Sequence, residues 1–431
     1  MKIRAMTSRL SLLLLLAPLG AGAQSFEAAT EEARAKPRPP AGFPVVPGVY
    51  RLDGTDPSLG MADLEPLRQI VGNAPIVALG ESLHTVGGYY EMKHRVFRFL
   101  VEKMGFRAIA FESNWEAAEQ LDRYVQTCEG SPEDAVDHLM DIFNSTETAA
   151  LAQWMCEWNR SHPKPRDKVR VFGFDIQEPN LDGPALLAFL ERIGIGPDHS
   201  WAAAVRACDG VVRFNAWPVP ESIYRPCVET LDTIEAHFDR NARTITRQTS
   251  AGDFAWARVR LAALRGWQGN IHHTVERLQL EERDEAMAYV FRSIRDLRFR
   301  NLRTVIWAHN AHIWENRHPW IAWSYMMGIR LREIYRHNYV SIGLVGSEVE
   351  TDLGQCAGRV PPPDSAEAHL ASLGHDVLLA DLASPARPPF FEPRKTYELH
   401  FAHVEPRRYF DALIWLRHAR RMDPLAWQPC Q

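Results

Sequence analysis

The sequence predicts an α/β fold with a mostly parallel central sheet flanked by helices and a large helical insertion or cap. Three observations carry this expectation. Short apolar runs closed by Gly or a polar cluster alternate with helical periodicity, the rhythm of strand-helix-strand units. Residues 181–300 break that rhythm with helical periodicity and no convincing strand. Strand-like runs then return, so the helices read as an elaboration of one sheet domain.

The elements follow in order. Lys2, Arg4 and Arg9 precede the apolar run Leu10–Leu16, and Ala21-Gly22-Ala23 fits a cleavage site before Gln24. Residues 1–23 read as a secretory signal peptide. The run is too short for a bilayer span of roughly 20 apolar residues, and no Cys follows it to carry a lipid. Residues 24–46 form a polar, Pro-rich tail, and 47–431 the folded domain. A short helix is expected near 62–70, then a buried strand at Pro75–Leu79. Tyr90, Phe97, Leu100 and Met104 recur at helical spacing over Gly88–Met104, and Gly105 ends that helix. A strand at Arg107–Phe111 and a helix at Asn114–Gln126 come next. Asn144-Ser145-Thr146-Glu147 resembles an N-cap for a helix through Arg160. Lys168–Phe174 is a third strand. Within the insertion, Met287, Val290, Phe291, Ile294 and Leu297 form one apolar stripe. Strands are expected again at Thr304–Trp307, Tyr339–Leu344, Val377–Ala380 and Ala412–Trp415, with a Pro-rich loop at Arg359–Ser365.

Composition narrows the function. Cleavage after Ala23 removes three basic residues and no acidic one, moving the formal charge from −5 to −8. No long basic run remains, so no nucleic-acid partner is expected. No later segment is apolar enough for an integral membrane span. An acidic, Trp-rich exported chain suits a neutral or cationic small molecule. Six cysteines in an oxidising compartment suggest disulfides. The sequence-neighbour pairing is Cys128–Cys156, Cys208–Cys227 and Cys356–Cys430, one of fifteen connectivities. None has CxxC spacing, which argues against a thiolate zinc site.

The chemistry concentrates where strands end. The first closes in Gly80-Glu81-Ser82-Leu83-His84, the second in Glu112-Ser113-Asn114 and the third in Asp175-Ile176-Gln177. The fourth closes in Ala308-His309-Asn310-Ala311-His312. Parallel sheets bind ligands beyond their carboxyl ends, so neighbouring strands would gather these groups in one crevice. Any one of them alone is a common cap or core residue; their coincidence at four ends is the signal. Lys93 lies in the apolar stripe of its helix and needs either a carboxylate such as Glu81 or Glu112, or a route to water. Most aromatics read as core, while Tyr89, Tyr90, Trp115 and Trp314 flank the strand ends as a candidate substrate wall.

These motifs carry a resemblance to the erythromycin esterase-like family, over roughly residues 60–420. Leu79-Gly80-Glu81-Ser82-Leu83-His84 is similar to its LGE-x-x-H signature. Met92-Lys93-His94, Met104–Glu112, Gly173–Gln177, Arg283-Asp284 with Met287-Ala288, and Trp307–Ile313 extend the match. The resemblance implies hydrolysis of an ester or lactone without an obligatory metal. It implies His84 as general base, Glu81 beside it, Glu112 orienting or sharing the proton, and His309, with His312, completing the site. Lys93 stands where the best-known esterases often carry Arg. Asp175, Gln177, Asn310, Asn114 and Arg283 join Lys93 and His312 as candidate substrate-binding residues. Little similarity extends into the rest of the insertion, where substrate specificity is expected to reside, so macrolide hydrolysis does not carry over.

The expected mechanism is attack of His84-activated water on the ester, with protonated His309 or Lys93 stabilising the oxyanion. No G-x-S-x-G elbow supports a serine nucleophile. Two alternatives stay open: a Zn or Mn hydrolase with Glu81, His84, Glu112, His309 and His312 as ligands, and a periplasmic ligand-binding protein without catalysis.

Overall fold

The computed structural model describes residues 44–177, 182–212, 218–272, 276–316, 326–351, 363, 365–385, 397–399 and 402–425. The expected signal peptide, nearly all of the expected Pro-rich tail, Cys356, Cys430 and most of the 359–365 loop lie outside them.

Nine strands form the main sheet. In chain order they are β1 (Pro44–Val46), β2 (Val49–Arg51), β3 (Ile76–Leu79), β4 (Phe106–Asn114), β5 (Arg170–Asp175), β6 (Arg303–Trp307), β7 (Tyr339–Val349), β8 (Val377–Asp381) and, at the end of the chain, a strand at Ala412–Ala419. A separate antiparallel ribbon, β9 (Tyr397–Leu399) and β10 (Ala402–Val404), precedes that last strand, which is β11. The spatial order is β1-β2-β8-β11-β7-β3-β6-β4-β5. The six strands from β11 to β5 are parallel, and β8, β2 and β1 add an antiparallel edge. The Pro-rich tail is therefore shorter than the sequence suggested, because residues 44–46 pair as an edge strand. Three residues between Phe43 and Pro47 carry too little alternation to announce a strand.

Both faces of the sheet are covered, which explains the unbroken apolar runs. Val77, Leu79, Ile109 and Phe111 point into one core, against helices Gly87–Met104, Trp115–Thr127 and Thr146–Ser161. Ile76, Ala78, Ala108 and Ala110 point into the other, against helices Glu276–Arg298, Met327–Tyr335 and Ala366–Ser372. Local chemistry sets the helix ends. Gly105 closes the first helix at φ 74°, and its N–H bonds to the Leu100 carbonyl. Asn114 and Ser145 cap their helices by accepting from Glu116 N–H and Thr148 N–H.

The insertion consists of helices Asp182–Arg192, Ser200–Val212, Glu221–Gln248, Ala251–His272 and Glu276–Arg298. The first four enclose a core of their own around Leu186, Phe189, Leu231, Phe238 and Leu264. Disulfides join Cys128 to Cys156 and Cys208 to Cys227, as the neighbour pairing anticipated. Among the described residues no helix is long and apolar enough to cross a membrane.

Candidate active site

Strands β3, β6, β4 and β5 are consecutive neighbours, so the four polar strand ends meet. Two glycines permit the closeness. A Cβ on Gly80 would lie 2.0 Å from Asn310 Oδ1, and one on Gly173 would lie 2.3 Å from the Ser113 carbonyl oxygen. Pairing between β4 and β5 shifts register between Phe111 and Asn114, so Glu112 sits in an irregular stretch that re-aims its side chain.

Glu81 is fully buried and holds the first half of the site. Its Oε1 lies 3.0 Å from His84 Nδ1, and its Oε2 contacts Lys93 Nζ. Lys93 also donates to the Ala308 carbonyl at 3.2 Å and stands 4.7 Å from the centre of the Trp307 ring. Burial pulls the Lys93 ammonium well below its ordinary pKa, against the pull of Glu112. Lys93 has no exposed surface, which places it behind Glu81 rather than in front of a substrate. His84 keeps 21% of its side chain exposed. Burial lowers its pKa below 6.5, with the Glu112 carboxylate opposing, so the ring is neutral near pH 7.

Thr85 follows His84 at φ 63°, a left-handed conformation that strains a β-branched residue. Several bonds hold it there. Tyr90 Oη accepts from Thr85 N–H at 3.2 Å, and the two hydroxyls of Thr85 and Thr351 meet at 2.6 Å. Thr351 also donates to the His84 carbonyl at 2.9 Å, fixing the backbone on both sides of the peptide.

The second half is a buried ionic network. Glu112 Oε2 accepts from His309 N–H at 2.7 Å, tying β4 to the end of β6. Its Oε1 receives Arg283 Nη2 at 3.0 Å and His312 Nε2 at 3.1 Å. Arg283 also grips Asp175, with Nε to Oδ1 at 3.0 Å and Nη2 to Oδ2 at 2.6 Å. His312 Nδ1 bonds Asp284 Oδ1 at 2.8 Å, which Met327 N–H also reaches at 2.8 Å. Burial opposes charge on His312, but Asp284 and Glu112 outweigh it and push the pKa up to about 10. Burial likewise opposes charge on Glu112, yet His312, His84 and Arg283 hold it well below the ordinary carboxylate range. His312 is thus an imidazolium between two carboxylates.

His309 faces His84 with ring centres 5.0 Å apart. Its Nδ1 accepts from Ala311 N–H at 3.1 Å, so the proton is on Nε2, which donates to the Ser82 carbonyl at 2.9 Å. Burial, reinforced by His84, lowers its pKa to about 3. His309 is therefore a neutral N–H donor, so the option of a protonated His309 does not apply in this arrangement.

The remaining candidates divide. Asn310 is fully buried, donates to the Leu344 carbonyl at 2.9 Å and braces Gly80. Asn114 and Gln177 line a neighbouring cleft of about 420 Å³ with Ser113, Gln120 and His138. Tyr89, Tyr90, Trp115 and Trp314 are all buried, so they pack the core and do not form an open wall. The sequence reading missed Asp284 as a site residue. Its signal was present: it falls three residues before Met287 on the apolar stripe, as Lys93 does on its own helix.

As a metal set these residues do not fit. Both oxygens of Glu112, both oxygens of Glu81 and both ring nitrogens of His309 and His312 are already engaged, by one another, by His84, Lys93, Arg283 and Asp284, or by backbone. Among the described residues no group of three or more His, Cys, Asp or Glu is arranged to hold a metal ion.

The erythromycin esterase family profile matches residues 101–419. Erythromycin esterase type II of Escherichia coli is 27% identical over 114 residues, a stretch covering 26% of each chain. A solved protein of Bacillus cereus superposes with a TM-score of 0.74 at 22% identity, over 93% of this chain and 99% of its own. A mutant of the erythromycin esterase EreC, in its open conformation, superposes at 0.69 and 19% identity, over 86% and 97%. The two superpositions show a shared fold, and the family match spans most of the chain: this protein belongs to the erythromycin esterase family.

Proposed function

We propose that the chain is a secreted hydrolase that cleaves an ester or lactone of a small organic molecule with water activated by His84. The observation that carries this reading is the state of His84: neutral, partly exposed, and backed through Nδ1 by a buried carboxylate. With Nδ1–H donated to Glu81, the lone pair is on Nε2, where a general base needs it. Water gives a proton to Nε2 while its oxygen bonds to the carbonyl carbon. Glu81 stabilises the imidazolium that forms. The carbon–oxygen bond to the leaving alkoxide then breaks, and His84 returns the proton to that oxygen. The Nε2–H of His309, released from the Ser82 carbonyl, is the donor assigned to the oxyanion. Lys93 acts through Glu81, and the Arg283 network holds Glu112 and the β6 end in place.

Hydrolysis of a panel of lactones, macrolides and simple acyl esters tests the proposal, with His84→Ala as control. Turnover of at least one substrate by the native chain, lost in the variant with its fold retained, supports it. Turnover of none, or near-native rates in the variant, dismisses it. Secretion is tested separately, by N-terminal sequencing of exported protein: a start at Gln24 is expected, and retention of residues 1–23 refutes cleavage there.

A further inference from the structure

A second cleft lies between the insertion and the helix Trp115–Thr127, and none of Glu81, His84, Glu112 or His309 lines it. Its volume is about 350 Å³, at the small end of the roughly 300–1,000 Å³ typical of small-molecule sites. Three arginines and two carboxylates stand on its walls. Two of the arginines are neutralised: Arg192 Nη2 bonds Asp253 Oδ2 at 2.8 Å, and Arg298 pairs with Glu119. The third is not. Arg260 has no hydrogen bond and no carboxylate bonded to it among the described residues, and its Nε is enclosed without an acceptor. Asp253 feels the charge of Arg260 but is bonded to Arg192.

The guanidinium is instead held by aromatic rings. Its central carbon stands 5.3 Å from the Trp115 ring centre and 5.8 Å from that of Trp256, and the two indoles lie 4.7 Å apart. Trp115 is itself anchored, donating from Nε1 to Asp182 Oδ1 at 3.3 Å. With Nε enclosed, the two terminal nitrogens of the guanidinium are the donors left to the cleft, and such a pair takes a carboxylate by two parallel bonds. The partly exposed Trp256 ring and the side chains of Ala185 and Ala188 supply an apolar wall beside it.

We propose that this cleft binds a planar organic anion, a carboxylate on a flat ring, with Arg260 taking the carboxylate and Trp256 the ring. The excess positive charge, the unbonded donors and the apolar wall each select one part of that ligand. The site is separate from the hydrolytic one, although the helix it touches starts directly after β4, the strand that carries Glu112.

Calorimetric titration of the purified chain with benzoate tests this. Saturable binding is expected, weakened about tenfold or more by Arg260→Gln, as loss of a charge-assisted bond predicts. Arg260→Lys, which keeps the charge but not the fork, should fall between the two. Benzyl alcohol, lacking the anion, should not bind. His84→Ala should bind benzoate normally, which separates this site from the proposed catalysis. Equal affinity in the native chain and Arg260→Gln, no saturable binding to the native chain, inorganic phosphate bound as tightly as benzoate, or loss of binding in His84→Ala would each overturn the proposal.

Discussion

Replacing Lys93 with Met removes the cation that touches Glu81 and leaves a carboxylate with no exposed surface beside a single imidazole. Replacing Glu81 with Gln strands Lys93 in the same way. Breaking a buried ion pair from one side costs about 3–5 kcal/mol, because the survivor keeps its desolvation penalty without its partner. Removing both charges together is often close to neutral when the replacement packs well. The double variant Glu81→Gln with Lys93→Met is therefore expected to be more stable than either single one. If each single change costs about 3–5 kcal/mol and the double costs little, the coupling is about 6–10 kcal/mol, far above the few tenths expected of independent sites. Urea unfolding of the four proteins measures it, with the slope of each transition compared to confirm that the same surface is exposed. Restored stability should not restore turnover, since His84 would still lack the carboxylate that stabilises its charged form. A double variant that loses the sum of the two single costs would refute the coupling and, with it, the view that Lys93 exists for Glu81.

Other consequences can be measured directly. His84→Ala should lower kcat/KM by about 10²–10⁴-fold, read from initial rates, with an unchanged circular dichroism spectrum. Because the His84 pKa is depressed and the neutral ring is the active form, turnover should fall with acid through a midpoint below 6.5; a midpoint at or above 6.5 contradicts this assignment. The His312 pKa is raised from 6.5 to about 10 on folding, so its stabilisation is complete below 6.5 and is lost as the pH climbs toward 10. Melting temperatures across that window should decline in the native chain and decline less in His312→Gln. Opening the Cys208–Cys227 bond, which closes a separation of 19 residues, should cost the insertion about 3 kcal/mol. Calorimetry of a Cys208→Ser, Cys227→Ser variant, showing an unshifted transition, would contradict that value.

Much of this arrangement was legible in the chain because parallel strands buried on both faces must be apolar until they stop. Glu81, Glu112, Asp175 and His309 stood out as the first polar groups after such runs, and their strands proved to be neighbours. The edge strands at 44–51 and the ribbon at 397–404 were missed because three-residue pieces offer no period to read. Protonation states were also beyond reach. His309 and His312 are three residues apart and chemically identical in the sequence. One is held neutral by burial and an Ala311 N–H on its Nδ1, the other charged by Asp284 and Glu112. Only the fold distinguishes them, and the key partners include carbonyls of Ser82 and Ala308 that no residue type announces.

The helix Glu276–Arg298 belongs to two worlds at once. It packs on the Ala251–His272 helix of the insertion, yet through Arg283 and Asp284 it supplies the counter-ions for Glu112, Asp175 and His312. Exchange of segments between relatives thus has a natural seam. Helices Asp182–Arg192, Ser200–Val212 and Glu221–Gln248, with their disulfide staple, are the replaceable part, and a chimera that also swaps the last two would dismantle the ionic network behind the proposed site.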